Sequence, residues 1–286
     1  MGPGRPTLEE LELHAPDRLD AAGLVQLDPD HPGFRDPVYR TRRDAIARIA
    51  FEYRDGDPVP RVDYTGDEQQ VWRAVWRELA PLHDRYACGT YLACSRQLKL
   101  DRERVPQLAD VNLTLAAATG FRMRPVAGLV SDRNFLGHLG RGVFLATQYM
   151  RHPSRPLYTP EPDVVHELVG HAATFCDPLF ARMNRAFGEA ALRATPEQLA
   201  RIARVYWYTL EFGLVDEGGA VKAYGAGLLS SFGELGRFER NAQLRPLDLE
   251  LVASTPYDPT DYQNVLYVAP PLERTAGLVS EWLKRI

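Results

Sequence analysis

The stretch on which the reading turns is YTPEPDVVHELVGH, residues 158–171. It ends in His166-Glu167-x-x-x-His171, and a lone Glu211 follows 40 residues later inside YWYTLEFG, residues 206–213. Two imidazoles and one carboxylate form the ligand set that leaves three positions open on an octahedral ferrous ion. The pattern therefore points first to non-haem iron, Fe(II), and to chemistry with O2. His166 and His171 are five positions apart. At roughly 100° per residue an ideal α-helix would aim them about 140° apart, so joint capture of one ion requires a local distortion or a helix end. Gly170 is the residue that could permit it. The zinc-protease pattern needs the histidines four apart with Glu beside the first, and this spacing misses it by one residue. An isolated histidine pair is more often packed core than metal ligand, so the surroundings must decide.

Composition narrows the classes. A chain of 286 residues with 45% hydrophobic and 25% charged residues can bury a proper core and reads as an ordinary globular protein. Its net charge of −4, with no basic stripe, argues against nucleic acid and anionic membranes as partners. Cys88, Cys94 and Cys176 show no zinc spacing and read as reduced thiols of a cytoplasmic protein. No apolar run is long enough for a transmembrane span, and the amino terminus lacks the apolar segment of a signal peptide.

Outward from the central stretch, the elements read as helices with little sheet. Residues 1–33 are rich in Pro, Gly and Asp and suggest a loosely held, flexible arm. Residues 34–53 turn helical, with Tyr39, Ala45, Ile46, Ile49 and Ala50 on one side, and Asp55-Gly56-Asp57-Pro58 breaks the pattern. Thr65 and Glu68 form a capping box that opens a helix with Val71, Trp72, Val75, Trp76 and Leu79 on its buried face. Another helix is expected over 106–118, stopped by Gly120, and a structured loop or short strand over 121–130. Residues 143–150 form a strand candidate. Asp163 is a candidate amino-terminal cap for the central helix. Thr195, Pro196 and Gln198 start a further helix that should run through Tyr206 and stop near Gly213, placing Glu211 near its end. Residues 224–234, YGAGLLSSFGE, read as loop then turn, 265–268 as a short strand, and 272–286 as a closing amphipathic helix. The expectation is one mainly α domain over 34–286.

Several blocks taken together resemble the pterin-dependent aromatic amino acid hydroxylases. They are residues 158–171, 206–213 and 224–234, with 121–151 and 262–269 similar to the same family in order and spacing. The resemblance implies a helical basket with a few short strands, with Fe(II), a tetrahydropterin and O2 as cofactors and co-substrates. It implies His166, His171 and Glu211 as iron ligands, and Ser230 as a hydroxyl holding His166. Glu167 would help position the pterin, Phe135 would stack on its ring, and Gly128, Leu129 and Val130 would meet its edge. Tyr206 falls in the same cofactor-binding set. Arg151 would take the substrate carboxylate through a planar fork, braced by Asp163. Thr159 would add a hydroxyl at the amino-acid end, and Pro162 and Trp207 would wall the ring pocket.

The sequence also departs from the family pattern. Ala172-Ala173-Thr174-Phe175 stands where the family usually has Val-Pro-Leu-Phe, Leu145 replaces a histidine common in animal phenylalanine enzymes, and Pro259 occupies a position, near the pterin in the family, that other residues usually hold. The resemblance is to short bacterial forms, which implies a monomer acting on a free aromatic amino acid. Tryptophan enzymes of the family tend to carry Phe at the position of Trp207, which favours L-phenylalanine converted to L-tyrosine. Meta-hydroxylation of phenylalanine and tryptophan hydroxylation are the alternatives within the family. A zinc hydrolase built on His166, His171 and Glu167 is the alternative from another class.

Overall fold

The computed structural model describes residue 25 and residues 27–286. Most of the expected amino-terminal arm, residues 1–24 and 26, lies outside the described residues. Within the rest of it, Leu27 and His31 are buried.

Helix α1 (Pro37–Glu52) starts where the Asp36 carboxylate accepts from the Val38 and Tyr39 N–H groups. Helix α2 (Gly66–Tyr86) carries the expected capping box of Thr65 and Glu68 and buries Val71, Trp72, Val75, Trp76 and Leu79. Helices α3 (Gly89–Leu98) and α4 (Leu108–Thr119) follow, the latter ending at Gly120. Strand β1 (Arg122–Pro125), helix α5 (Asp132–Leu139) and strand β2 (Val143–Ala146) come next, with β1 and β2 paired in parallel. Helix α6 (Pro178–Arg193) is capped by Asp177 and buries Phe180, Met183 and Phe187. Helix α7 (Pro196–Tyr206) opens on the expected box of Thr195 and Gln198.

The carboxyl-terminal quarter adds a sheet and further short helices. Strands β3 (Leu214–Glu217) and β4 (Ala220–Ala223) form an antiparallel hairpin. Short helices α8 (Ala226–Ser230), α9 (Phe232–Leu235) and α10 (Phe238–Asn241) lead to strand β5 (Gln243–Pro246) and helix α11 (Leu249–Ser254). Strand β6 (Val265–Ala269) completes a sheet of order β4-β3-β6-β5, and α12 (Leu272–Arg285) closes the described chain. The mainly helical expectation holds, with few short strands.

Two segments depart from α-helical geometry. His166–Ala172 and Trp207–Glu211 are π-helical turns. In the second, the Phe212 N–H donates to the Trp207 carbonyl five residues back, at 2.8 Å. Widening the repeat to i→i+5 brings residues five apart toward one face. This is the distortion that the His166/His171 spacing required. Gly170 serves it differently from the expectation: a Cβ there would lie 2.7 Å from the Ala226 carbonyl oxygen, so its bare backbone lets α8 close on the first π-turn.

The expectation of loop then turn over 224–234 is corrected, because α8 and α9 occupy that stretch. Its glycines suggested turns, yet a Cβ on Gly225 would meet the Glu211 carbonyl at 2.4 Å. Gly225 is there for close approach of backbones, whereas Gly227 and Gly233 make room for the Phe212 and Tyr262 rings. Helices α3 and α6 lie where the pattern argument predicted no element.

Candidate metal centre

The two π-turns and α8 meet in the middle of the molecule. His166 and His171 come from the first turn and Glu211 from the second, and their ligand atoms all lie within 4.8 Å of one another. His171 Nε2 is 3.0 Å from His166 Nε2 and 2.9 Å from Glu211 Oε1, and His166 Nε2 is 3.6 Å from Glu211 Oε2. All three side chains bring a ligand atom into one small region.

Hydrogen bonding fixes one of those rings. Ser230 Oγ donates to the Ala226 carbonyl at 2.8 Å and lies 3.0 Å from His166 Nδ1. A hydroxyl has one proton. With that proton on Ala226, His166 Nδ1 must donate to Ser230, which leaves His166 Nε2 bare and facing the cluster. Burial pushes His166 down to about 4, against the pull of Glu211, so the ring is neutral at neutral pH. The 3.6 Å approach to Glu211 is therefore not an ion pair. Burial raises the Glu211 carboxyl, but His171 and His166 outweigh it and hold the group below its ordinary value. His166 Nε2 is thus free to bind a cation, and two imidazoles with one carboxylate form a donor set that suits a divalent ion.

The other sequence-expected residues are held as follows by their own neighbours. Glu167 is buried and accepts from the Thr147 N–H (3.0 Å) and Oγ1 (2.9 Å), while burial pushes it up to about 8. Phe135 stands edge-on to both Tyr206 (5.6 Å) and Phe144 (5.5 Å), and Phe144 packs 4.5 Å from the His171 ring. Val130 packs with Phe135 on the small cluster of Val126, Val143 and Leu145, whereas Leu129 is exposed and Gly128 half-buried.

Arg151 and Asp163 form a buried bidentate pair, Nε to Oδ2 at 2.9 Å and Nη2 to Oδ1 at 2.7 Å. Burial raises the Asp163 carboxyl and Arg151 more than offsets it, leaving it below its ordinary value. Asp163 Oδ1 also accepts from the His166 N–H at 3.3 Å, so it caps the helix and braces the arginine at once. Thr159 Oγ1 donates to the Glu161 carbonyl, and the Pro162 carbonyl accepts from Thr147 and Tyr149. Trp207 stacks on Tyr257 with ring centres 4.2 Å apart.

Sequence reasoning missed the outer supports. Thr147 anchors Glu167 from just past β2. Arg43, buried in α1, lies 3.2 Å over the Tyr149 ring and pairs with Glu161 at 3.0 Å. Nothing local marks either residue, since both act on partners distant in the chain. The open cleft lined by Arg85, Lys222 and Glu239 on the β3–β4 hairpin contributes no residue to the cluster. Among the described residues no helix is long and apolar enough to cross a membrane.

Comparison with known proteins fits this geometry. Rat phenylalanine-4-hydroxylase is 47% identical over 268 residues, which is 92% of this chain and 59% of the rat protein. Human tyrosine 3-monooxygenase is 44% identical over 265 residues, 91% of this chain and 50% of the human protein. The chain thus spans little more than half the length of these relatives. A crystal structure of phenylalanine hydroxylase from Chromobacterium violaceum, with bound iron(III) and oxidised cofactor 7,8-dihydrobiopterin, superposes with a TM-score of 0.75. It is 28% identical, over 85% of this chain and 91% of that one. The family described as biopterin-dependent aromatic amino acid hydroxylase matches residues 11–286. The match extends well beyond the metal cluster, and the chain belongs to the biopterin-dependent aromatic amino acid hydroxylases.

Proposed function

We propose that this chain is a tetrahydropterin-dependent monooxygenase that hydroxylates a free aromatic amino acid, L-phenylalanine to L-tyrosine. His166, His171 and Glu211 hold one ferrous ion. The observation that carries the reading is the convergence of these three donors, with His166 Nε2 left bare by the Ser230 contact. When bound there, the ion supplies open positions at which oxygen is activated with the reduced pterin.

The chain's own residues bind and orient. Asp163 takes Nε and Nη2 of Arg151, and no protein bond to Nη1 is found among the described residues. That edge of the guanidinium takes the substrate carboxylate, with the Thr159 hydroxyl nearby. Pro162 and Trp207 wall the ring. Phe135 and Tyr206 form the aromatic side on which the pterin lies, with Gly128, Leu129 and Val130 at its edge and Glu167 beside it. With substrate and pterin seated between them, these walls keep water from the reacting atoms.

Phenylalanine is preferred because phenylalanine hydroxylases stand among both the sequence relatives and the solved structures, and because Trp207 stands where tryptophan enzymes tend to carry Phe. The similarity to tyrosine 3-monooxygenase makes tyrosine the competitor to include. The protein acts as a cytoplasmic monomer.

The test is one incubation of anaerobically iron-loaded protein with tetrahydropterin, oxygen and phenylalanine, tyrosine or tryptophan. Chromatography against para- and meta-tyrosine standards reads the product. Para-tyrosine formed fastest is the expected result. Meta-tyrosine, or faster turnover of tryptophan, would overturn the substrate assignment. Zinc as the native metal with no pterin oxidation would overturn the reaction class.

A further inference from the structure

One half-buried glutamine ties together four groups beside the second π-turn. Gln263 lies in the segment between α11 and β6. Its Oε1 accepts the Trp207 Nε1–H at 3.1 Å. Its Nε2 donates to the carbonyls of Asp258 and Asp261, both at 2.8 Å, and its backbone N–H donates to Glu234 Oε1 at 2.9 Å. The indole nitrogen can only donate and the two carbonyls can only accept. The amide therefore fits in one orientation, with both donors and its oxygen engaged. Tyr257, six residues earlier, stacks on the same indole at 4.2 Å with an interplanar angle of 11°. The 255–264 segment thus holds Trp207 by its face and by its N–H. Trp207 in turn opens the π-turn that ends in Glu211.

We infer that Gln263 is a positioning residue of the aromatic pocket: it fixes the Trp207 indole, and through the indole the seat of the substrate ring. The inference rests on the proposed reading of Trp207 as a pocket wall. Removing the amide frees the indole to rotate and cuts two ties within its own segment. Small displacements of a substrate ring lower turnover steeply, and a misplacement near 1 Å is worth on the order of 100-fold.

The experiment compares Gln263→Leu in the wild-type and Trp207→Phe backgrounds, on iron-loaded protein. Gln263→Leu is expected to lower kcat/KM for phenylalanine by roughly 10-fold or more in the wild type. In the Trp207→Phe background, which has no indole N–H to hold, the loss should be at least threefold smaller, as expected for coupled residues. Equal losses in both backgrounds would overturn the inference.

A second readout needs no activity. Subtracting the emission of Trp207→Phe from that of the parent isolates Trp207 from the other three tryptophans, Trp72, Trp76 and Trp282. Gln263→Leu should shift this difference spectrum and raise its quenching by acrylamide. An unchanged spectrum in Gln263→Leu would overturn the inference. If the wild type hydroxylates no aromatic amino acid, the functional reading fails, while the emission measurements still test the Gln263–Trp207 contact.

Discussion

His83 makes the stability of this fold depend on pH in a way that can be worked through. It lies buried in α2, donates from Nε2 to the Leu229 carbonyl at 2.6 Å, and packs against the rings of Trp76 and Tyr91. Burial pushes its pKa from the ordinary 6.5 down to about 4; the bond to Leu229 opposes the shift, Arg102 adds to it and Asp84 opposes it. Between those two values the unfolded chain takes up a proton that the folded chain refuses, so stability falls as pH falls. One pKa unit corresponds to about 1.4 kcal/mol, and integrating the difference from pH 7 to pH 5 gives a loss of about 2 kcal/mol from this residue. His31, His138 and His166 are also lowered. The assay must therefore be a difference: urea unfolding of metal-free wild type and His83→Gln at pH 7 and pH 5. Glutamine can keep a donor to Leu229 without titrating. The wild type should lose about 2 kcal/mol more than the variant over that interval. Equal losses would refute the reasoning.

Three further outcomes follow from contacts already described. Arg43→Leu removes a buried guanidinium from Glu161 and Tyr149 and should destabilise by about 3 kcal/mol in urea unfolding. Adding Glu161→Gln should recover part of that loss, and no recovery would contradict the pairing. Ser230→Ala should weaken ferrous binding by roughly 10- to 100-fold with an unchanged far-UV spectrum, because the His166 ring loses its orienting partner; unchanged affinity would remove Ser230 from that role. Gly170→Ala sets a methyl 2.7 Å from the Ala226 carbonyl and should cost about 1–3 kcal/mol by displacing α8, so an unchanged melting temperature would contradict the close approach.

What the sequence revealed depended on how local the cause was. The boxes at Thr65/Glu68 and Thr195/Gln198 act within one turn, and both helix starts were legible. The spacing of His166 and His171 was legible as a conflict: five residues do not share an α-helical face, and the π-turn resolves the conflict as the metal reading demanded. The 224–234 stretch misled because glycine has two uses. Its residues suit turns, but here Gly225 lets α8 approach the Glu211 backbone, which only the folded partner explains. Arg43, Thr147 and Gln263 were illegible for a related reason. Each acts on a residue between 20 and 118 positions away, and no periodicity or cap marks such a pairing.

The central claim, that a close pair of histidines and a glutamate 40 residues further on share one ion, is tested most directly by anaerobic titration with ferrous iron. The account predicts one equivalent bound per wild-type chain. It predicts that His166→Ala, His171→Ala and Glu211→Ala each abolish tight binding while helical content is retained. A Glu211→Ala chain that still binds a full equivalent with wild-type affinity would contradict it.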